Sequence, residues 1–179
     1  MMWQFARRRP LTVRAVRARH ILGAGTAGEA VMNSEHQYAV VVGVDGSPSS
    51  DAALRWAVWH AGLVGGSVTA VMVWDMPMIY NWEPPGDQNF ARQTATELHR
   101  VINEALGDAA AEVRMEVAQG HPAGALLDSA KDAAADLIVV GNRGHGGFTG
   151  ALLGSVTQHV VHHARCPVVV VRQPEERKS

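Results

Sequence analysis

Four small residues late in the chain carry the most chemical information. Gly141 and Gly144 are followed, nine residues after the second, by Gly154 and Ser155, a spacing of G-x2-G-x9-G-S. An apolar β-branched run at 137–140 precedes them, and a stretch that reads as a helix, 155–164, follows. Glycines at such a turn let the backbone take positive φ and let main-chain N–H groups approach a ligand unhindered. A helix that starts at Ser155 presents unpaired N–H groups and about half a positive charge, which favours an anion. The Ser155 hydroxyl and the Arg143 guanidinium can each add a hydrogen bond to a phosphate oxygen. The alternative is a set of turn glycines that hold no ligand.

Other residue types invite chemistry less strongly. Asp45 ends the first apolar run, where it is either a ligand acceptor or a turn-former before Gly46. His159, His162 and His163 have the i, i+3, i+4 spacing of a helical metal site, but no helical glutamate base accompanies them. Histidines in a last helical turn also complement the helix dipole, so no metal is assigned. His145 is a phosphate contact or a solvated loop residue, and Tyr80 and Trp82 are a lid or loop aromatics packed on their own domain. No residue beside the glycines stands out as a general base, so no catalytic residue is assigned. Cys166 is the single cysteine, read as a small buried apolar residue. One thiol excludes an internal disulfide and a multi-thiolate metal site, and fits a reducing cytoplasm.

The elements that must position these residues alternate along the chain. Residues 38–45, 68–74, 113–118, 137–140 and 168–171 read as strands. Helices are expected from a Ser49 cap to Gly65, over the periodic Ala91, Ala95, Leu98, Ile102, Ala105 and Ala109, from Pro122 to Ala134, and over 155–164. Ala53, Ala57, Ala61 and Val64 form the first helix's apolar face, and residues 75–89, with three prolines, form a loop. Strands separated by helices imply an α/β fold with a parallel sheet covered on both faces. Ligands of such sheets sit outside the carboxyl ends of the strands, which selects Gly43, Val44 and Asp45, the Val73 region, and the segment after Val140.

Composition closes off other classes. With 179 residues, 47% hydrophobic and 18% charged, the chain holds one domain and one core. No apolar run reaches the roughly 18 residues of a membrane span, and a net charge of −1 gives no bulk attraction to nucleic acid. Residues 1–33 sum to +5 and residues 34–172 to −6. That Arg-rich start reads as a disordered extension or the product of an upstream start codon, with an organellar transit peptide and a basic arm as alternatives. The expected domain is 34–173, followed by a tail, 174–179.

Residues 136–172, with Val42-Gly-Val-Asp-Gly-Ser47, closely resemble the universal stress proteins, and the likeness extends over 38–172. The family's G-x2-G-x9-G-[ST] signature is matched at Gly141, Gly144, Gly154 and Ser155, as in its ATP-binding branch. The resemblance implies a Rossmann-like five-stranded parallel sheet, order 3-2-1-4-5, with helices on both faces. It also implies an ATP site, with or without Mg²⁺. Asp45 would take the ribose hydroxyls or lie near the adenine, beside Gly43 and Val44, and the Val73 main chain would read the adenine edge. Gly141, Gly144, Gly154, Ser155 and Val156 would hold ribose and phosphates, with Asn142, Arg143 and Thr157 completing the set. The expected role is a cytoplasmic stress-response regulator, not an enzyme beyond slow ATP hydrolysis. It is expected to form homodimers through Val168, Val169, Val170 and Val171, and to bind neither nucleic acid nor membrane. Cyclic AMP is the alternative ligand, and an interaction module with an empty pocket a further class. An adenylating enzyme of this fold would carry Ser-Gly-Gly-x-Asp-Ser after the first strand, where this chain has Asp45-Gly-Ser-Pro-Ser-Ser50.

Overall fold

The computed structural model describes residues 36–75, 88–145 and 152–173. The extension 1–33, the segment bearing Tyr80 and Trp82, and the tail 174–179 lie outside the described residues. Five strands, β1 (Ala39–Gly43), β2 (Ser67–Trp74), β3 (Val113–Gln119), β4 (Leu137–Gly141) and β5 (Val168–Val171), alternate with four helices. These are α1 (Pro48–Val64), α2 (Gln88–Leu106), α3 (Pro122–Asp132) and α4 (Ser155–His163). All strand pairs are parallel, in the order β3-β2-β1-β4-β5, as the resemblance implies.

The period of two along each central strand divides the core. Val40 and Val42 face a cluster containing Leu54, Ala57, Leu98 and Ile102, under α1 and α2. Val41 faces the other side, with Leu126, Ile138 and Val160 under α3 and α4. Both faces of the sheet are therefore covered, which is why its strands read as unbroken apolar runs.

Local chemistry moves several element ends. Ser47, not Ser49, caps α1: its Oγ accepts from the Ser50 N–H at 3.3 Å, and Pro48 takes the first helical position. Gly65 ends that helix in the left-handed region, at φ 66°. Ala53, Ala57 and Ala61 are buried as expected, whereas Val64 is exposed. The second helix starts at Gln88, inside the expected loop, and Leu98, Val101 and Ile102 form its buried stripe. Ala95 is exposed, and Ala109 falls in a 3-10 turn, Gly107–Glu112. The third helix stops at Asp132, and Ala134 lies beyond it at φ 47°.

Candidate functional site

At the carboxyl end of β1, the neighbouring strands β2 and β4 carry the chain away to opposite faces, and a crevice opens between them. A cavity of about 340 Å³ lies there, within the roughly 300–1,000 Å³ of small-molecule sites. Of the residues selected from sequence, Gly43, Val44, Asp45, Val73, Gly141, Arg143, Gly144, Gly154, Ser155, Val156 and Thr157 all line it. Asn142 does not. It is buried, its N–H donates to Val171 O at 2.8 Å, and its carbonyl accepts from Gly154 N–H at 2.8 Å. It ties the start of α4 to the end of β4 instead of facing the cavity. Ser50, Val71, Pro122, Leu126, Val140 and His145 complete the lining. Val71 and Val140 are discoverable as the strand residues just before the selected ends. Pro122 and Leu126 read from sequence only as part of a core helix.

Three observations give this cavity its chemistry. The first concerns Asp45. Its Oδ1 accepts from the Ser47 N–H at 3.0 Å and the Ser47 hydroxyl at 2.6 Å, while Oδ2 accepts from the His145 N–H at 3.3 Å. Asp45 therefore forms the turn and also holds its carboxylate against the glycine segment. The Ser49 hydroxyl, donating to the Arg143 carbonyl, is a further stitch between the two loops.

The second concerns the glycines. Positive φ among the described glycines occurs at Gly46, Gly65, Gly107 and Gly120, not at Gly141, Gly144 or Gly154, contrary to the expectation from sequence. Close approach explains two of the three. A Cβ on Gly141 would fall 2.7 Å from the Ser49 main chain, and one on Gly144 would overlap the Asp45 carboxylate. Gly154 has room: a Cβ there would lie 3.4 Å from its nearest neighbour, Arg143 Cα.

The third concerns unpaired main chain. The last rung between β1 and the longer β2 is Val44 N–H to Val71 O at 2.9 Å. By strand alternation the N–H and C=O of Val73 point the same way, past the end of β1 and toward the cavity. Opposite, α4 begins at Gly154, which has no side chain with which to cap it. The N–H groups of Ser155, Val156 and Thr157 have no intrahelical partner. The Thr157 hydroxyl is engaged, donating to the Gly141 carbonyl at 2.7 Å. One wall thus offers main-chain donors and acceptors beside apolar Val71, Leu126 and Val140, and the other an anion-attracting helix end.

Among the described residues no group of three or more His, Cys, Asp or Glu side chains is placed to hold a metal ion, the α4 histidines included. The His159 and His163 rings stack at 4.1 Å, and His163 Nδ1 meets the His159 carbonyl at 2.8 Å. Cys166 is half-buried, and burial pushes its thiol pKa up.

The family model of the universal stress protein family matches residues 39–172. The chain belongs to the universal stress protein family. A universal stress protein of Mycolicibacterium smegmatis is 33% identical over 156 residues, 82% of this chain and 52% of the relative. One of Mycobacterium tuberculosis is 38% identical over 149 residues, 81% of this chain and 49% of the relative. The chain thus spans about half the length of the curated relatives it matches. Among solved structures, a universal stress protein of Lactobacillus plantarum is similar with a TM-score of 0.62 at 27% identity, covering 75% of this chain and 97% of that one. A universal stress protein in complex with cAMP gives 0.55 at 28% identity, covering 76% and 97%. One from Archaeoglobus fulgidus in complex with dAMP gives 0.52 at 25%, covering 75% and 97%. Among the described residues, no helix of this universal stress protein is long and apolar enough to cross a membrane.

Proposed function

We propose that this universal stress protein binds ATP, alone or with Mg²⁺, and regulates stress responses through partner or oligomer interactions in the cytoplasm, not as an enzyme. The observation that carries the reading is one cavity with the open main chain of Val73 on one wall and the uncapped start of α4 on the other. The first suits the hydrogen-bonding edge of a base, and the second suits phosphates. Between them, the Asp45 carboxylate is the acceptor for ribose hydroxyls. Arg143 is the fixed cation of the site, and Gly144 keeps the wall open beside Asp45. The neighbours in complex with cAMP and dAMP support an adenine-nucleotide ligand. The cAMP-bound neighbour also favours cyclic AMP as a second reading, since its single phosphate needs only the start of α4.

Calorimetry of the purified full chain with ATP, ATP plus Mg²⁺, and cyclic AMP tests the proposal. ATP is expected to bind with a micromolar Kd, on the order of −8 kcal/mol. Cyclic AMP binding much more tightly than ATP would move the assignment to the second reading. Neither heat nor a thermal shift with any adenine nucleotide at millimolar concentration would overturn both.

A further inference from the structure

Behind the wall of this cavity, two serine hydroxyls join the turn after β1 to the loop after β4. Ser47 is 4% exposed and Ser49 8%, and neither lines the cavity, so both lie out of a ligand's reach. Ser49 fills the notch that Gly141 leaves. A Cβ on Gly141 would fall 2.7 Å from the Ser49 hydroxyl oxygen as well as from its main chain. Helix capping does not account for this side chain. Ser47 caps α1, while Ser49 reaches out of its own helix to the Arg143 carbonyl.

Proton counting separates the two hydroxyls, because each has one to donate. Ser47 Oγ lies 2.6 Å from Asp45 Oδ1 and 3.4 Å from the Arg143 carbonyl oxygen. The nearer acceptor is also the charged one, and it takes the proton. Ser49 donates its own proton to the Arg143 carbonyl, so that carbonyl is held by Ser49. The peptide between Arg143 and Gly144 is trans, and its C=O and N–H point in opposite directions. A carbonyl drawn toward α1 therefore turns the Gly144 N–H away from α1. Gly144 lines the cavity, and among the described residues its N–H has no hydrogen-bond partner.

We propose that Ser49 is a positioning residue for nucleotide binding: from outside the cavity, its hydroxyl holds the Arg143 carbonyl and so fixes the orientation of the 143–144 peptide for the phosphates. The inference rests on the nucleotide-binding reading above and deepens it, with a residue that acts through the loop and never touches the ligand. Its effect belongs to the phosphate end of the site. The base edge is read on the opposite wall, at Val73, and Asp45 keeps both donors of Ser47 when Ser49 changes.

The test is titration of the full-length wild type and of Ser49→Ala with ATP and with adenosine, the latter read by its displacement of ATP at up to millimolar concentration. Ser49→Ala should bind ATP about tenfold more weakly than wild type, the scale of one hydrogen bond to a charged group, and adenosine within about twofold. Ser49→Cys keeps the volume and offers a weaker donor. It should lose part of the ATP affinity and keep that for adenosine, and it carries the same comparison if Ser49→Ala does not fold. Equal fold-losses for ATP and adenosine would overturn the proposal, since a general loosening of the domain weakens both ligands alike. So would wild-type ATP affinity in both variants. A wild type that binds no adenine nucleotide fails before any substitution is made, and it removes the nucleotide reading and this proposal together.

Discussion

Gly144 and Gly154 occupy equivalent places in the sequence signature and unequal places in the molecule. A Cβ on Gly144 would overlap the Asp45 carboxylate, which would have to leave both donors of Ser47 and the N–H of His145. We expect Gly144→Ala to cost about 1–2 kcal/mol by overpacking, and to weaken nucleotide binding at least about tenfold as Asp45 moves. Gly154, at φ −72° and with 3.4 Å from such a Cβ to its nearest neighbour, accepts a methyl without strain. Gly154→Ala should therefore keep the wild-type melting temperature. Any affinity it loses then reports how closely a phosphate approaches the helix start. Thermal unfolding and calorimetry on the two variants separate these roles. Equal melting temperatures and equal affinities for both variants and wild type would contradict the close approach at Gly144.

One carboxylate ties together the starts of two strands. Asp136, just before β4, accepts the Ala39 N–H of β1 on Oδ2 at 2.8 Å, and both its oxygens meet His36 Nε2, at 2.9 and 2.8 Å. The Ala39 N–H, and after it His36, holds the Asp136 pKa below its ordinary 3.8. A carboxylate depressed in the folded state stabilises above its unfolded value and loses that contribution as pH falls through the folded one. Asp136→Asn should therefore be less stable than wild type at neutral pH. The gap should close only below pH 3.8, as chemical denaturation across the acid range would record. A gap that persists unchanged at lower pH would mean the charge contributes nothing. At this scale much is legible in the sequence. The Val-rich runs mark β1, β4 and β5 because strands covered on both faces need no polar alternation. The α1 cap lies two residues before the expected Ser49, although Pro48, which belongs just inside a helix start, points to Ser47. Two features of the site are not legible. The overhang that frees Val73 is set by the register between two strands, and Pro122 and Leu126 reach the cavity through the packing of α3 across strand ends. Neither is a property of a local pattern. The strand order follows from the family resemblance, since periodicity identifies strands and not their neighbours.

For the whole molecule, what meets the outer edge of β5 matters, because among the described residues β5 pairs with β4 alone. Its four valines are half-buried, and their side chains serve both faces: Val169 and Val171 pack with the core under α1, Val168 and Val170 with the core under α3 and α4. What remains open is main chain. Ile138 N–H donates to Pro167 O at 3.0 Å and Asn142 N–H to Val171 O at 2.8 Å, so alternate residues 167, 169 and 171 face β4. The N–H and C=O groups of Val168 and Val170 therefore point outward. An apolar edge with no charge between Pro167 and Arg172 is a template for another strand. We propose that a second copy supplies it, β5 pairing antiparallel with β5 about a two-fold axis, a closed arrangement that uses both β5 edges at once. Val169→Lys is a poor probe of this pairing, because it would place an ammonium among the core residues that Val169 packs against. Val170→Pro is a better one. It removes an outward N–H, breaks no rung with β4, and proline is tolerated at such edge positions. Wild type should sediment as a dimer at tens of micromolar and Val170→Pro as a folded monomer with a retained far-ultraviolet circular dichroism spectrum. Wild type sedimenting as a monomer, with and without ATP, would rule out the β5 pairing, as would a Val170→Pro variant that stays dimeric.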